Sequence, residues 1–185
     1  MSILSEAIAN FREPVHTPTK RSPDTYASIW NRCLTQLSCL IVEHDDVRND
    51  QQLKREIRNE IDYQIRRYHN YAIKENFGAH YIEVGAEKTD FEHMIPASTV
   101  RELCIAGILS PEQALNVPTC KLSKDKHVEL REKGWGNKTP DPYLFWKRYE
   151  YCFDVSGFTT WDGEAVNPSM TLDDHFARFA NQFLA

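Results

Sequence analysis

The stretch from His80 to Gly134, HYIEVGAEKTDFEHMIPASTVRELCIAGILSPEQALNVPTCKLSKDKHVELREKG, decides how this chain is read. HYIEVG alternates with strand-like composition, and Gly85 opens a turn through AEKT. DFEHMIP follows as a second short extended segment, closed by Pro96. A helix is expected from about Ser98 over VRELCIAGI. Next comes SPEQAL, with Ser110 as cap and Pro111 at the first helical position, where a missing N–H costs nothing. Asn116 to Ser123 (NVPTCKLS) joins Pro118 to β-branched residues and reads as a turn and a short strand. Ser123 is the expected cap of a helix over KDKHVELREKG, which Gly134 ends.

Working outward, the chain divides into four parts: a flexible arm over 1–22, a helical N-terminal region over 23–76, the core over 77–134 and an extension over 135–185. Pro14, Pro18 and Pro23 interrupt any regular element in the arm. From Pro23 a helix is expected, with Ser22 as cap and a buried stripe of Trp30, Leu34, Leu37 and Ile41. A longer helix over roughly 47–75 places Leu53, Ile57, Ile61, Ile65 and Ala72 on one face, with Tyr68 beside them. Its other face mixes Lys54, Arg55, Arg58, Arg66 and Arg67 with Glu56, Glu60 and Asp62, the pattern of a solvated face laced by i,i+4 pairs. The extension is aromatic-rich (Tyr143, Phe145, Trp146, Tyr149, Tyr151, Phe153), ends in a helix over TLDDHFARFANQFL, and is expected to pack on the core rather than to stack on bases. The fold class is α+β.

Composition narrows the function classes. At 185 residues with 41% hydrophobic and 11% aromatic content, the chain suits one principal domain with a real core. Charged residues at 26% and a mean hydropathy of -0.57 describe a soluble protein. No apolar run approaches the ~20 residues of a membrane span. The N-terminal MSILSEAIANFREPVH carries Glu6 early and lacks a secretory pattern, so a cytoplasmic location is expected. Five cysteines without a C-x-x-C pair argue against a disulfide framework and a four-cysteine zinc site. The net charge of -5 counts against nucleic-acid binding unless a local basic face exists.

The residues able to carry chemistry are Glu92, His93, Asn116 and His127. Phosphodiester hydrolysis needs an activated water, stabilisation of charge on the phosphate and help for the departing oxygen. Histidine titrates near neutral pH and can take a proton from water. Neighbours on a strand point to opposite faces, so Glu92 and His93 share one site only if the strand end twists. Lys121, Lys124 and Lys126 around His127, together with Arg66 and Arg67, are the candidate phosphate contacts, and the helix amides near Ser123 are a further one. His80 lies before the strand with nothing to pin it to the site, and His175 beside Asp173 and Asp174 reads as part of an acidic helix start rather than a ligand.

The run E-H-x-x-P at Glu92–Pro96, an Asn in a turn and L-S-K-x-x-x-H entering a helix resembles the HNH (His-Me finger, ββα-metal) endonucleases over about residues 80–134. The resemblance implies a small ββα-metal core in which Glu92 and His127 hold one divalent ion, Mg²⁺ or else Mn²⁺. It implies His93 as general base and Asn116 as the group that orients it. It further implies DNA as substrate, nicked or cleaved, in a family common in phage and mobile elements. The helical insert over 98–115 is longer than compact versions need, and the zinc-stapling cysteine pairs of some members are absent. An inactive binding or inhibitor module and an RNA-directed nuclease are the competing readings.

Overall fold

The computed structural model describes residues 21–180; nearly all of the arm expected over 1–22 and the end of the last expected helix lie outside them. Helix α1 (Pro23–Asp46) starts as expected: the Ser22 side chain accepts the Thr25 N–H, and Pro23 takes the first position. Its buried residues are Tyr26, Cys33, Leu37 and His44, so the stripe is turned from the expected one; Trp30, Leu34 and Ile41 are only partly covered.

Helix α2 (Gln51–Tyr68) is set by Asp50, whose carboxylate accepts the Leu53 N–H at 2.9 Å. It buries Ile57, Ile61, Ile65 and Tyr68 against α1, whereas Leu53, expected in the stripe, stays exposed. The helix does not continue regularly to 75. It widens into a π-helical turn (His69–Lys74) and resumes as α3 (Glu75–Phe77), ended by Gly78 at φ 78°.

The strands β1 (Tyr81–Glu83), β2 (Thr89–His93), β3 (Thr119–Ser123) and β4 (Phe158–Thr160) form one mixed sheet in the order β2-β3-β1-β4. β3 runs antiparallel to β2 and parallel to β1, while β4 is antiparallel to β1. Between β2 and β3 lie α4 (Ala97–Ile105) and α5 (Pro111–Leu115); Ser110 and Gln113 close a reciprocal capping box at the start of α5.

Helix α6 (Lys124–Glu132) follows β3 directly. Ser123 occupies the cap position, but its side chain makes no capping bond, contrary to expectation. Instead Glu83 accepts the Ser123 N–H at 2.6 Å, so the chain's own carboxylate sits at this helix start. At the far end Gly134 (φ 80°) donates to Arg131 O and Trp135 to Leu130 O, the paired bonds of a left-handed stop. The extension packs Phe145, Trp146 and Tyr149 into the core, with Tyr149 on the short helix α7 (Lys147–Glu150), and closes with α8 (Leu172–Phe179). Tyr143 and Tyr151 remain exposed. All five cysteines are free, and among the described residues no helix is long and apolar enough to cross a membrane.

A seam of histidines runs through this core. His69 lies 2.9 Å from Leu115 O through Nε2, and its ring centroid sits 4.9 Å from that of His93. His80 meets Thr119 Oγ1 at 3.0 Å and approaches the His175 ring to 4.8 Å. His175 spans Asn116 O at 2.8 Å and Tyr81 Oη at 2.9 Å. Carbonyls accept from Nε2 of His69 and of His175, which places a proton on that nitrogen of each ring. Burial lowers the pKa of all four rings, to about 4 for His69 and about 3 for His175.

The unfolded chain, with histidine pKa values near 6.5, therefore binds more protons than the folded one below neutrality. Stability is complete above about pH 6.5 and falls as pH drops toward 4, by up to about 1.4 kcal/mol per pH unit for each buried ring. Urea unfolding at pH 7.5, 6 and 5 is expected to show a midpoint that falls steeply below pH 6.5. A flat profile over that range would mean that the rings are not held neutral.

Candidate functional site

The face of β2 toward α6 carries Asp90 and Glu92, because residues two apart on a strand project to the same side. β3 leads straight into α6, and His127, in its first turn, reaches both carboxylates. His127 Nδ1 lies 2.8 Å from Asp90 Oδ2, and Nε2 lies 3.4 Å from Glu92 Oε2. The hydrogen bond from His127 holds the Asp90 carboxyl below the usual carboxylate range. Since a carboxylate only accepts, Nδ1 carries the proton, and a neutral His127 presents the lone pair of Nε2 toward Glu92.

Two electron-rich atoms facing each other at 3.4 Å need a proton or a cation between them. The separation suits two donors of one small divalent ion, each bonded at about 2.0–2.2 Å. A carboxylate behind the far imidazole nitrogen is also the usual support of a histidine ligand. The donor pair therefore fits the ion that the family resemblance implies. Among the described residues no group of three or more His, Cys, Asp or Glu side chains is arranged to hold a metal ion, so such an ion would rest on two protein ligands.

Glu92 has a second partner. Its Oε1 accepts from Arg148 Nη2 at 2.7 Å, and Arg148 is completely buried. Every N–H of that guanidinium is used: Nε on Trp135 O, Nη1 on His93 O and Met94 O, and Nη2 on Gly136 O as well as Glu92. The side chain thus fixes the end of β2, the loop after α6 and the Glu92 carboxylate in one arrangement.

The expected site residues do not all converge. His93 projects from the opposite face of β2, edge-on to Phe91 at 5.5 Å and against His69, with Nε2 buried and without a partner. Strand alternation thus separates it from Glu92 and His127, and the twist needed to unite the pair does not occur. Asn116, expected to orient His93, caps the end of α5. Its carbonyl accepts from His175, and its Nδ2 lies 3.5 Å from Phe179 O, so it fixes α8 instead.

The candidate phosphate contacts also divide. Lys126 is tied to Glu83 at 3.1 Å and to Asp154 O at 3.4 Å, over the rings of Phe153 and Phe158. Arg67 lies toward α1 beside Cys33. Lys124 is exposed on the first turn of α6, close enough to lower the pKa of Asp90. Lys121 and Arg66 belong to the His93 side of the sheet, where Lys121 pairs with Phe91 and the charge of Arg66 acts on His93.

Two residues of the centre were not anticipated. Asp90 was detectable, since its spacing of two from Glu92 on a strand places both on one face. Arg148 was not, because nothing local to the sequence around 148 specifies a partner near residue 92.

Arg148→Met removes one member of a buried pair and takes the guanidinium donor from four carbonyls. A loss on the order of 3–5 kcal/mol is expected in denaturant unfolding. Glu92→Gln, whose amide oxygen still accepts from Arg148, should cost clearly less; equal losses would mean that the guanidinium is not held as described.

No family model, curated protein or solved structure matches this chain.

Proposed function

We propose that this protein is a metal-dependent endonuclease of the HNH, ββα-metal kind that hydrolyses phosphodiester bonds in DNA. The observation that carries the reading is the succession β2–β3–α6, which brings Glu92 Oε2 within 3.4 Å of His127 Nε2 while Asp90 holds the other imidazole nitrogen. Glu92 and His127 would hold the divalent ion, Mg²⁺ or Mn²⁺. When bound, it supplies Lewis acidity to a phosphate oxygen and acidifies water at the site.

The chain's own groups account for the rest. Asp90 keeps the proton of His127 on Nδ1 and so keeps Nε2 free to donate a lone pair. Arg148 fixes the Glu92 carboxylate through Oε1 and leaves Oε2 directed at the centre. Lys124, exposed on the same turn as His127, offers a cation to the substrate backbone. His93, facing away from this centre, does not act as its proton acceptor in this reading. The commitment of Glu92 to Arg148 favours one competing reading, an inactive scaffold of the same shape, and the test below separates the two.

Supercoiled plasmid in Mg²⁺ or Mn²⁺ is expected to be nicked or cut. His127→Ala and Glu92→Gln should each reduce the rate at least ~100-fold, the order of effect of losing a charge-stabilising group. His93→Gln should reduce it less than His127→Ala does. The opposite order would move the centre to the other face of β2. Failure to cut with any divalent ion would favour the inactive scaffold, and preferential cutting of structured RNA would reassign the substrate.

A further inference from the structure

Between α1 and the last turn of α2 lies a cavity of about 170 Å³, lined by Thr25, Ser28, Ile29, Arg32, Cys33 and Arg67. The α1 side of it follows from helical period, since Thr25, Ser28, Ile29 and Arg32 recur three and four residues apart and so share one face. Arg67 meets that face from α2. Cys33 is fully buried, and its thiol pKa is raised by burial against the opposing charges of Arg67 and Arg32, which both act on this one sulfur.

Neither arginine has a counter-charge. Four arginines among the described residues are not exposed: Arg58, Arg67, Arg101 and Arg148. Arg58 pairs with Glu102, Arg101 with Asp62 and Glu102, and Arg148 with Glu92. Among the described residues, Arg67 is the member of this set with neither a carboxylate nor a hydrogen-bond acceptor, and the exposed Arg32 across the cavity likewise has none. The sequence accounts for this, because every position three or four away from Arg32 or Arg67 is uncharged. Two cations facing one cavity, one of them half-buried with its donors unused, cost free energy that an anion between them would offset.

We propose that this cavity binds the terminal phosphate of a nucleotide, held between the guanidinium groups of Arg32 and Arg67. Planar guanidinium forks match phosphate oxygens two at a time, and the Thr25 and Ser28 hydroxyls line the same space. Two cations also suit the roughly −1.5 to −2 charge of a phosphate monoester near pH 7. The volume falls short of the roughly 300–1,000 Å³ of sites that enclose a whole small molecule, so only the charged end enters. Tyr63, one turn before Arg67 on α2 and exposed, offers its ring to the base outside. The site uses neither a divalent ion nor the Glu92–His127 pair, and so stands apart from the proposed nuclease reading.

Titration calorimetry of the full chain, in EDTA at pH 7.5, compares adenosine monophosphate with inorganic phosphate and with adenosine. The nucleotide is expected to bind, inorganic phosphate to bind at least about fivefold more weakly for want of a stacked base, and adenosine not to bind. Arg67→Gln and Arg32→Gln should each weaken the nucleotide about tenfold or more, and Arg67→Lys, which keeps the charge without the fork, should fall between. Because neither arginine has a partner in the protein, both glutamine variants should keep the parent midpoint in urea. Tyr63→Ala should bring the nucleotide down to the level of inorganic phosphate. A short single strand with a 5′-phosphate, compared with its 5′-hydroxyl form, separates the two sources of the group: a preference for the phosphorylated strand assigns a strand end, and its absence beside tight nucleotide binding assigns the free nucleotide.

A parent protein that does not bind the nucleotide, or glutamine variants that bind it as the parent does, would overturn the site. Equal affinity for the nucleotide and inorganic phosphate, unmoved by Tyr63→Ala, would overturn the choice of a nucleotide. Loss of nucleotide binding in His127→Ala would move it to the Glu92–His127 centre and overturn the site as well.

Discussion

The guanidinium of Arg148 is the contact on which the arrangement of the site depends. Five donors meet five acceptors drawn from three places: the last residues of β2, the loop after α6 and the Glu92 side chain. A buried cation is tolerated only when its hydrogens are satisfied and a counter-charge is close; here four backbone carbonyls meet the first condition and the Glu92 carboxylate meets the second. The consequence is geometric. The end of the edge strand, where hydrogen bonding in the sheet stops, is held by a residue from the extension rather than by the sheet. Glu92 is fixed by the same group, so its free oxygen has one direction, toward His127.

Strand alternation is the second constraint, and it splits a dipeptide that reads in the sequence as a unit. Glu92 belongs with Asp90, α6 and Arg148; His93 belongs with Phe91, the π turn and His69. A one-residue-thick strand therefore carries a carboxylate-and-imidazole centre on one side and a cationic, aromatic face on the other. The π turn lies against this second face, with the His69 ring beside His93 and Lys74 over the Phe91 ring.

The histidines show how far single-residue reading reaches. His80, unassigned from the sequence, and His175, taken as part of an acidic helix start, are both wholly buried, with bonds to Thr119, Tyr81 and Asn116. Nothing in the local pattern DDHFARF distinguishes a histidine facing the core from one facing water except its place on the helix face with Leu172 and Phe179. Asn116 was legible as a turn residue, and it does end α5. Its partners belong to α8, some sixty positions along the chain, and could not be read from its neighbours.

The sequence by itself determined most of the elements: capped helices at Ser22 and Ser110, a stop at Gly134, and two short strands around a helical insert, leading to an α+β chain with Glu92 on a strand and His127 on the helix that follows the next one. Such features follow from local sterics, caps and hydrophobic period, which act within a few residues. Only the tertiary structure decided which face of β2 meets α6, that Glu92 pairs with a buried arginine, that the long second helix widens at His69, and that His93 lies apart from the carboxylates. Those outcomes depend on contacts between residues tens of positions apart, where burial and the pairing of buried charges, rather than local preference, select the arrangement.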